Sequence, residues 1–172
     1  MPRKRQADQV DAAILQRLVA DPDVTNLAIA ASTGLARNTV RARLDRYTAE
    51  GALRSFERRI DPAFLGYPLR AYVVTRVTQR KLDRVGAALA TVPEVLEVHG
   101  LTGVSDLLVH VVARDADDLY RITGHILSID GVKRTNTGLV MRELVGYRIA
   151  QLIDPPQRTA KNTMQNSPPT TL

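Results

Sequence analysis

Between residues 69 and 145 the apolar residues keep changing their spacing, and that succession restricts the possible folds more than any other feature of the chain. Residues 69–78 (LRAYVVTRVT) are rich in β-branched and aromatic side chains and predict a strand. Leu82, Val85, Leu89 and Val92 then recur three or four apart, a helical stripe that Pro93 stops. Residues 95–101 and 107–112 read as two strands around a short connection at 102–106. Residues 116–129 predict a helix with Leu119, Ile122, Ile126 and Ile129 on one side. Asp115 is placed to cap it, and Asp117 and Asp118 suit its positive end. Asp130 and Gly131 end that helix, and residues 132–145 are strand-like. A strand-helix-strand-strand-helix-strand order predicts an antiparallel sheet with both helices on one face, the ferredoxin-like (βαββαβ) arrangement.

The first fifty residues carry only helical spacing. Val10, Ile14, Leu15 and Leu18 predict a helix over residues 8–20. Residues 25–53 (TNLAIAASTGLARNTVRARLDRYTAEGAL) read as two further helices about a glycine turn. Thr25 suits an N-cap, and Gly34 suits a turn that needs positive φ. Leu35 is expected to plug the space between the helices, and the next helix to begin near Ala36. Val40, Leu44 and Tyr47 then face inward, while Asn38, Ala42, Asp45 and Arg46 point outward. This is a helix-turn-helix pattern, in which one helix braces and the next enters the major groove of double-stranded DNA. Arg37, Asn38 and Arg41 are the candidates for base edges, since Arg pairs bidentately with guanine and Asn with adenine. Thr39, Arg43 and Arg46 are the candidates for phosphates, which fix orientation. The stem of Arg43 lies at the edge of the buried stripe, so it is expected to pack while its head reaches out. The competing reading of the same arginines is a solvated surface helix.

Charge falls where a DNA footprint needs it. Residues 1–60 hold 11 Lys/Arg against 7 Asp/Glu, residues 61–154 hold 11 of each, and Arg158 and Lys161 complete the chain's net +6. The basic start (MPRKRQADQVD) is expected to touch DNA as an arm or to stay disordered. It precedes no apolar signal core, and no run approaches the ~18–20 apolar residues of a membrane span. A cytoplasmic protein without a membrane partner is therefore expected. The chain has no cysteine, so disulfides, thiol catalysis and cysteine-bound zinc are excluded. His99, His110 and His125 show no metal-ligand spacing, and neither a metal nor a cofactor is expected.

The fold class expected is α+β. A helix-turn-helix DNA-binding domain occupies residues 1–53, a hinge strand or linker 54–68, a ferredoxin-like effector and oligomerisation domain 69–154, and a disordered tail 155–172. Within the hinge, residues 55–60 could form a short strand. Arg58 and Arg59 there could reach phosphate like a wing or simply be solvated.

Several pieces of this sequence, in this order and spacing, resemble the Lrp/AsnC (feast/famine) family of transcriptional regulators: DAAILQRL, STGLARNTVRARLDRYTAEGAL, VHGLTGVSDLLVHVVARD and DGVKRTNT. The resemblance covers about residues 8–150. It implies dimers paired through the sheet, often assembled into larger homo-oligomers, and a small-molecule effector, commonly an amino acid, bound between dimers. The family's ligand loop would fall on Leu101, Thr102, Gly103, Val104, Ser105 and Asp106. Gly103 would allow close backbone approach, and Asp106 would accept from a ligand ammonium group. Thr135, Asn136 and Thr137 would add polar contacts from a neighbouring subunit. Ser105 stands where the family often carries an aromatic residue. The alternative for this loop is plain hairpin chemistry, with Gly103 supplying geometry and Asp106 capping backbone.

Two other function classes stay open on sequence. One is an effector-independent, nucleoid-architectural DNA-binding protein. The other is a tetrapyrrole decarboxylase, since some such enzymes have a similar build. Its histidine and arginine chemistry would fall to His99, His110, His125, Arg121 and Arg134, which make no constellation, and it leaves the arginine-rich helix unexplained. A non-enzymatic regulator is the expectation.

Overall fold

The computed structural model describes residues 6–153. The first five residues of the expected basic arm and the whole of the expected tail, 155–172, lie outside that range. The chain divides into two compact units. One runs up to Arg54 and takes in the segment from Gly146, and the other is Ser55–Val145.

The first unit is built from α1 (Gln9–Ala20), α2 (Asn26–Thr33) and α3 (Arg37–Ala49). Asp8 and Asp11 form a reciprocal box at the start of α1. Each carboxylate accepts from the other's backbone N–H, at 2.9 and 3.0 Å, so two orphan donors are satisfied. Thr25 caps α2 as expected, its Oγ1 accepting from Ala28 N at 3.2 Å. Gly34 ends α2 at φ +70°, a left-handed conformation that costs a side chain dearly, and its N–H returns to Ala30 O. The core is Ile14, Ile29, Ala30, Val40 and Tyr47, with Leu35 and Leu44 packed against it.

The second unit is a four-stranded antiparallel sheet in the order β2-β3-β1-β4, from β1 (Leu69–Val77), β2 (Val95–Gly100), β3 (Leu107–Ala113) and β4 (Val132–Leu139). Helices α4 (Leu82–Leu89) and α5 (Ala116–Ser128) complete the βαββαβ order. Alternation sorts the strands into two faces. Ala71, Val73 and Val77 of β1 and Leu107, Val109, Val111 and Ala113 of β3 bury against Val85, Leu89, Ile122 and Ile126 of the helices. The opposite face carries Arg70, Tyr72, Val74 and Arg76 of β1, Leu108, His110 and Val112 of β3, and Arg134 and Asn136 of β4.

Four expectations need correction. Residues 55–60 are not a strand. The segment folds into 3-10 turns at Phe56–Arg59 and Pro62–Leu65. No strand lies beside it, so its backbone groups close locally, as in Ile60 N to Glu57 O and Phe64 N to Asp61 O. The stripe through Val92 is helical only to Leu89, and Val92 is buried from a turn, its N–H bonded to Leu89 O. The last strand stops at Leu139 rather than at residue 145. Val140 N still reaches Arg70 O at 2.8 Å, but the partner strand begins at Leu69 behind Pro68, so the ladder has nothing further to bond. Arg46 does not point outward, as described next.

Candidate nucleic-acid interface and ligand loop

Helix α3 sorts its cations into two sets. Arg37, Asn38, Thr39 and Arg41 are all exposed at its start. Ala36 caps it without a side-chain bond, which leaves the first-turn amides uncapped. Among the described residues Arg41 meets only Asp45, at 3.9 Å, with both side chains about three-quarters exposed. Such a pair is worth little and leaves the guanidinium available.

Arg43 and Arg46 turn the other way. Arg43 Nη1 donates to Asp8 Oδ2 at 2.7 Å and to Asp11 Oδ1 at 2.6 Å, and Arg46 Nη2 donates to Asp11 Oδ1 at 2.7 Å. Tyr47 Oη joins them, donating to Asp11 Oδ1 at 2.6 Å. Burial pushes the Asp11 carboxyl up. Hydrogen bonds from Tyr47, the Asp8 backbone and Arg43 outweigh that and hold it well below the ordinary carboxylate range. Burial and the same bond push the Tyr47 phenol up. Arg46 was expected at the outer surface with its head on a phosphate. It is three-quarters covered and lies 5.6 Å over the Tyr47 ring. The network ties α3 to α1 and fixes which arc of α3 stays free. Asp11 was missed from sequence, although two acids three apart at a helix start and two cations three apart on α3 were there to be paired.

The expected wing cations are also occupied. Arg58 is ion-paired with Glu97, and Arg59 lies over the Phe56 ring at 5.1 Å.

In the second unit the loop 101–106 is an exposed hairpin connection. Leu101 N bonds Asp106 O at 2.8 Å, and Gly103 has φ +110°. Leu101, Thr102, Gly103 and Val104 are exposed, and Ser105 and Asp106 are half-buried. Asp106 is already employed. Its Oδ2 accepts from Val77 N at 2.8 Å, where the β1–β4 register shifts, and its own N–H donates to Thr75 O at 3.0 Å. The aspartate therefore anchors the loop to β1 through its backbone N–H and Oδ2. The trio on β4 is divided between the two faces of the sheet. Asn136 faces the open side of the sheet with Val74, whereas Thr135 and Thr137 pair with Thr75 and Val73 on the helix side.

The histidines are scattered. His110 stacks on Tyr72, with ring centroids 4.8 Å apart, and burial holds its pKa below the usual value. His99 lies beside Glu97, and His125 is exposed on the last turn of α5.

Comparison with known proteins agrees with this architecture. Residues 8–48 match the AsnC-type helix-turn-helix domain, and residues 70–149 match the Lrp/AsnC ligand binding domain. The chain is 32% identical over 135 residues to the HTH-type transcriptional regulator FL11 of Pyrococcus horikoshii, covering 78% of this chain and 89% of that protein. Its fold is similar to Escherichia coli AsnC, with a TM-score of 0.76 at 22% identity over 85% of this chain and 99% of that one. A transcriptional regulator of Neisseria meningitidis, solved as an L-Met complex, is similar with a TM-score of 0.70 at 24% identity, covering 82% and 94%. With a helix-turn-helix unit, a ligand-binding unit of ferredoxin-like topology and relatives named as regulators rather than enzymes, the chain belongs to the Lrp/AsnC family of transcriptional regulators.

Proposed function

We propose that this regulator reads DNA sequence through the outer arc of α3, acts as a homodimer or larger homo-oligomer, and changes its assembly or DNA affinity when a small effector binds. The division of labour follows the expected boundaries. Residues 1–53 bind DNA, 54–68 form the hinge, and 69–154 bind the effector and pair the subunits. The observation that carries the reading is the sorting of α3. Asp11 takes Arg43 and Arg46 inward, and Arg37, Asn38 and Arg41 are left exposed on one arc, with Thr39 exposed beside them in the first turn. Arg37, Asn38 and Arg41 then contact base edges and Thr39 a phosphate. Arg43 and Arg46 act by holding the helix rather than by touching the duplex.

For the effector, the loop 101–106 offers Gly103 at an open turn that Asp106 anchors to β1. Asn136 is its polar neighbour on the open sheet face. Amino acids are the first class to try, since the Neisseria regulator was solved with L-Met. Selection of genomic fragments on the purified full chain, with and without pooled amino acids, tests both halves. A shared pseudo-palindromic site whose recovery changes with the pool supports the proposal. Recovery of fragments without a common site, indifferent to the pool, would point instead to an architectural DNA-binding protein.

A further inference from the structure

We infer that the open sheet face beside loop 101–106 binds a compact, doubly negative oxyanion between Arg76 and Arg134. The inference deepens the effector reading above, because Val104 and Ser105 of that loop form one wall of the site. Arg76 on β1 and Arg134 on β4 are direct partners across the antiparallel ladder. Like charges directly opposite each other destabilise a sheet unless something neutralises them. Among the described residues neither guanidinium has a hydrogen-bonded or ion-paired acid. In the same unit Arg58, Arg70, Arg84, Arg121 and Lys81 each meet a carboxylate.

The two arginines also share a cavity. Together with Val74, Val104, Ser105 and Asn136 they line a space of about 220 Å³. That is below the ~300–1,000 Å³ of drug-sized pockets, so the ligand is small. Planar guanidinium forks pair bidentately with two oxygens of a carboxylate or a phosphate. The Ser105 hydroxyl and Asn136 amide add neutral donors, and the two valines accept a short apolar stretch. The register shift between Arg76 and Val77 sits at the site, and Asp106 holds it through Val77 N. Bulges re-aim side chains in this way beside binding sites. The shared chemistry is a dianionic oxyanion, supplied either by a short dicarboxylate or by a phosphate group.

Calorimetric titration of the full chain at low salt tests this with succinate, inorganic phosphate and leucine as probes. Succinate or phosphate is expected to bind, and R76Q and R134Q should each weaken it at least tenfold. R80Q, which removes an exposed charge elsewhere in the unit, should leave it unchanged. Which probe binds separates the carboxylate from the phosphate source. Amide shifts of Ser105 and Asn136 on adding the bound anion give a second readout that needs no variant. Absence of binding by both anions, equal weakening in R80Q, or shifts that avoid Ser105 and Asn136 overturns the inference. Leucine binding that survives R76Q and R134Q shows the effector loop standing on its own, whatever the anions do.

Discussion

At the scale of single residues, Asp11 and Gly131 carry the most structural consequence. Asp11 takes donors from Tyr47, Arg43 and Arg46 on one oxygen and the Asp8 amide on the other. D11N keeps the shape but removes the charge that two guanidiniums face. Removing one member of a buried ion pair costs ~3–5 kcal/mol, and the lower figure applies because both arginines keep contact with water. Hydrogen exchange at the α3 amides should therefore accelerate by roughly a hundredfold, given tenfold per ~1.4 kcal/mol. Retained protection would sink this assignment. The sign of the pH effect follows from the lowered carboxyl. A depressed folded-state pKa gives stability that is present above the unfolded value, near ~4, and is lost as pH falls through the folded value. Helix content of the wild type should accordingly become easier to melt as pH drops below ~4. D11N should show a flatter acid limb when the two are melted side by side. Gly131 is a different case. It sits at φ +107°, and a Cβ there would lie 2.9 Å from Lys81 Cβ and 3.0 Å from Val85 Cγ2. Its carbonyl also takes the Thr78 amide at 2.7 Å. G131A combines backbone strain with a clash against the start of α4, so it should cost more than ~1 kcal/mol. A melting midpoint within a degree of wild type would contradict that, since ~4–8 °C is expected per kcal/mol in a domain of this size.

At the scale of elements, α3 is the test of the DNA reading. R37A and R41A should each lose ~1–3 kcal/mol of affinity for a selected duplex and relax the preference for one base pair. R43A should behave differently, loosening α1 from α3 and lowering thermal stability along with binding. Fluorescence anisotropy and circular dichroism on the same three proteins distinguish the outcomes. R37A or R41A variants with wild-type affinity and selectivity would remove them from the interface. The same helix shows how far sequence reached. Spacing placed Val40, Leu44 and Tyr47 inward, because a 3.6-residue period is set locally. It could not say where Arg43 and Arg46 point, because that depends on Asp8 and Asp11 more than thirty residues away. Strand ends were blurred for the same reason. Residues 140–145 look as β-prone as 132–139, and only the end of the neighbouring strand decides where pairing stops. Residues 55–60 read as strand by composition, yet a strand needs a ladder partner that the sequence does not show. The second unit's loop was reached through the resemblance to the Lrp/AsnC family, not through spacing or composition. Arg76 and Arg134 went unpaired in that reading because register, not spacing, brings them together.

At the scale of the whole molecule, the sheet presents a face that its helices do not cover. Tyr72 and Leu108 lie on it, and Met141, Leu144 and Val145 are exposed in the segment that follows β4. Apolar surface gathered this way marks an interaction site in most proteins. In the proposed regulator the Tyr72 end of this face, away from Arg76 and Arg134, pairs two copies, so that two α3 helices engage one pseudo-palindromic site. The coupling makes a clear prediction. Tyr72 is 41% exposed, so a charge placed there is tolerated by the isolated fold but buried on pairing. Light scattering on Y72E should give a mass near the 18.9 kDa of one chain, where the wild type gives at least twice that. DNA affinity should fall well beyond tenfold although α3 is untouched, because the second contact loses its effective concentration. The salt dependence should report the same loss. The slope of log affinity against log salt scales as about −0.9 per phosphate neutralised, so a protein engaging through one helix should show about half the wild-type slope. A Y72E protein that stays associated, or one that dissociates yet keeps both affinity and slope, would separate the sheet from DNA recognition and leave each α3 acting alone.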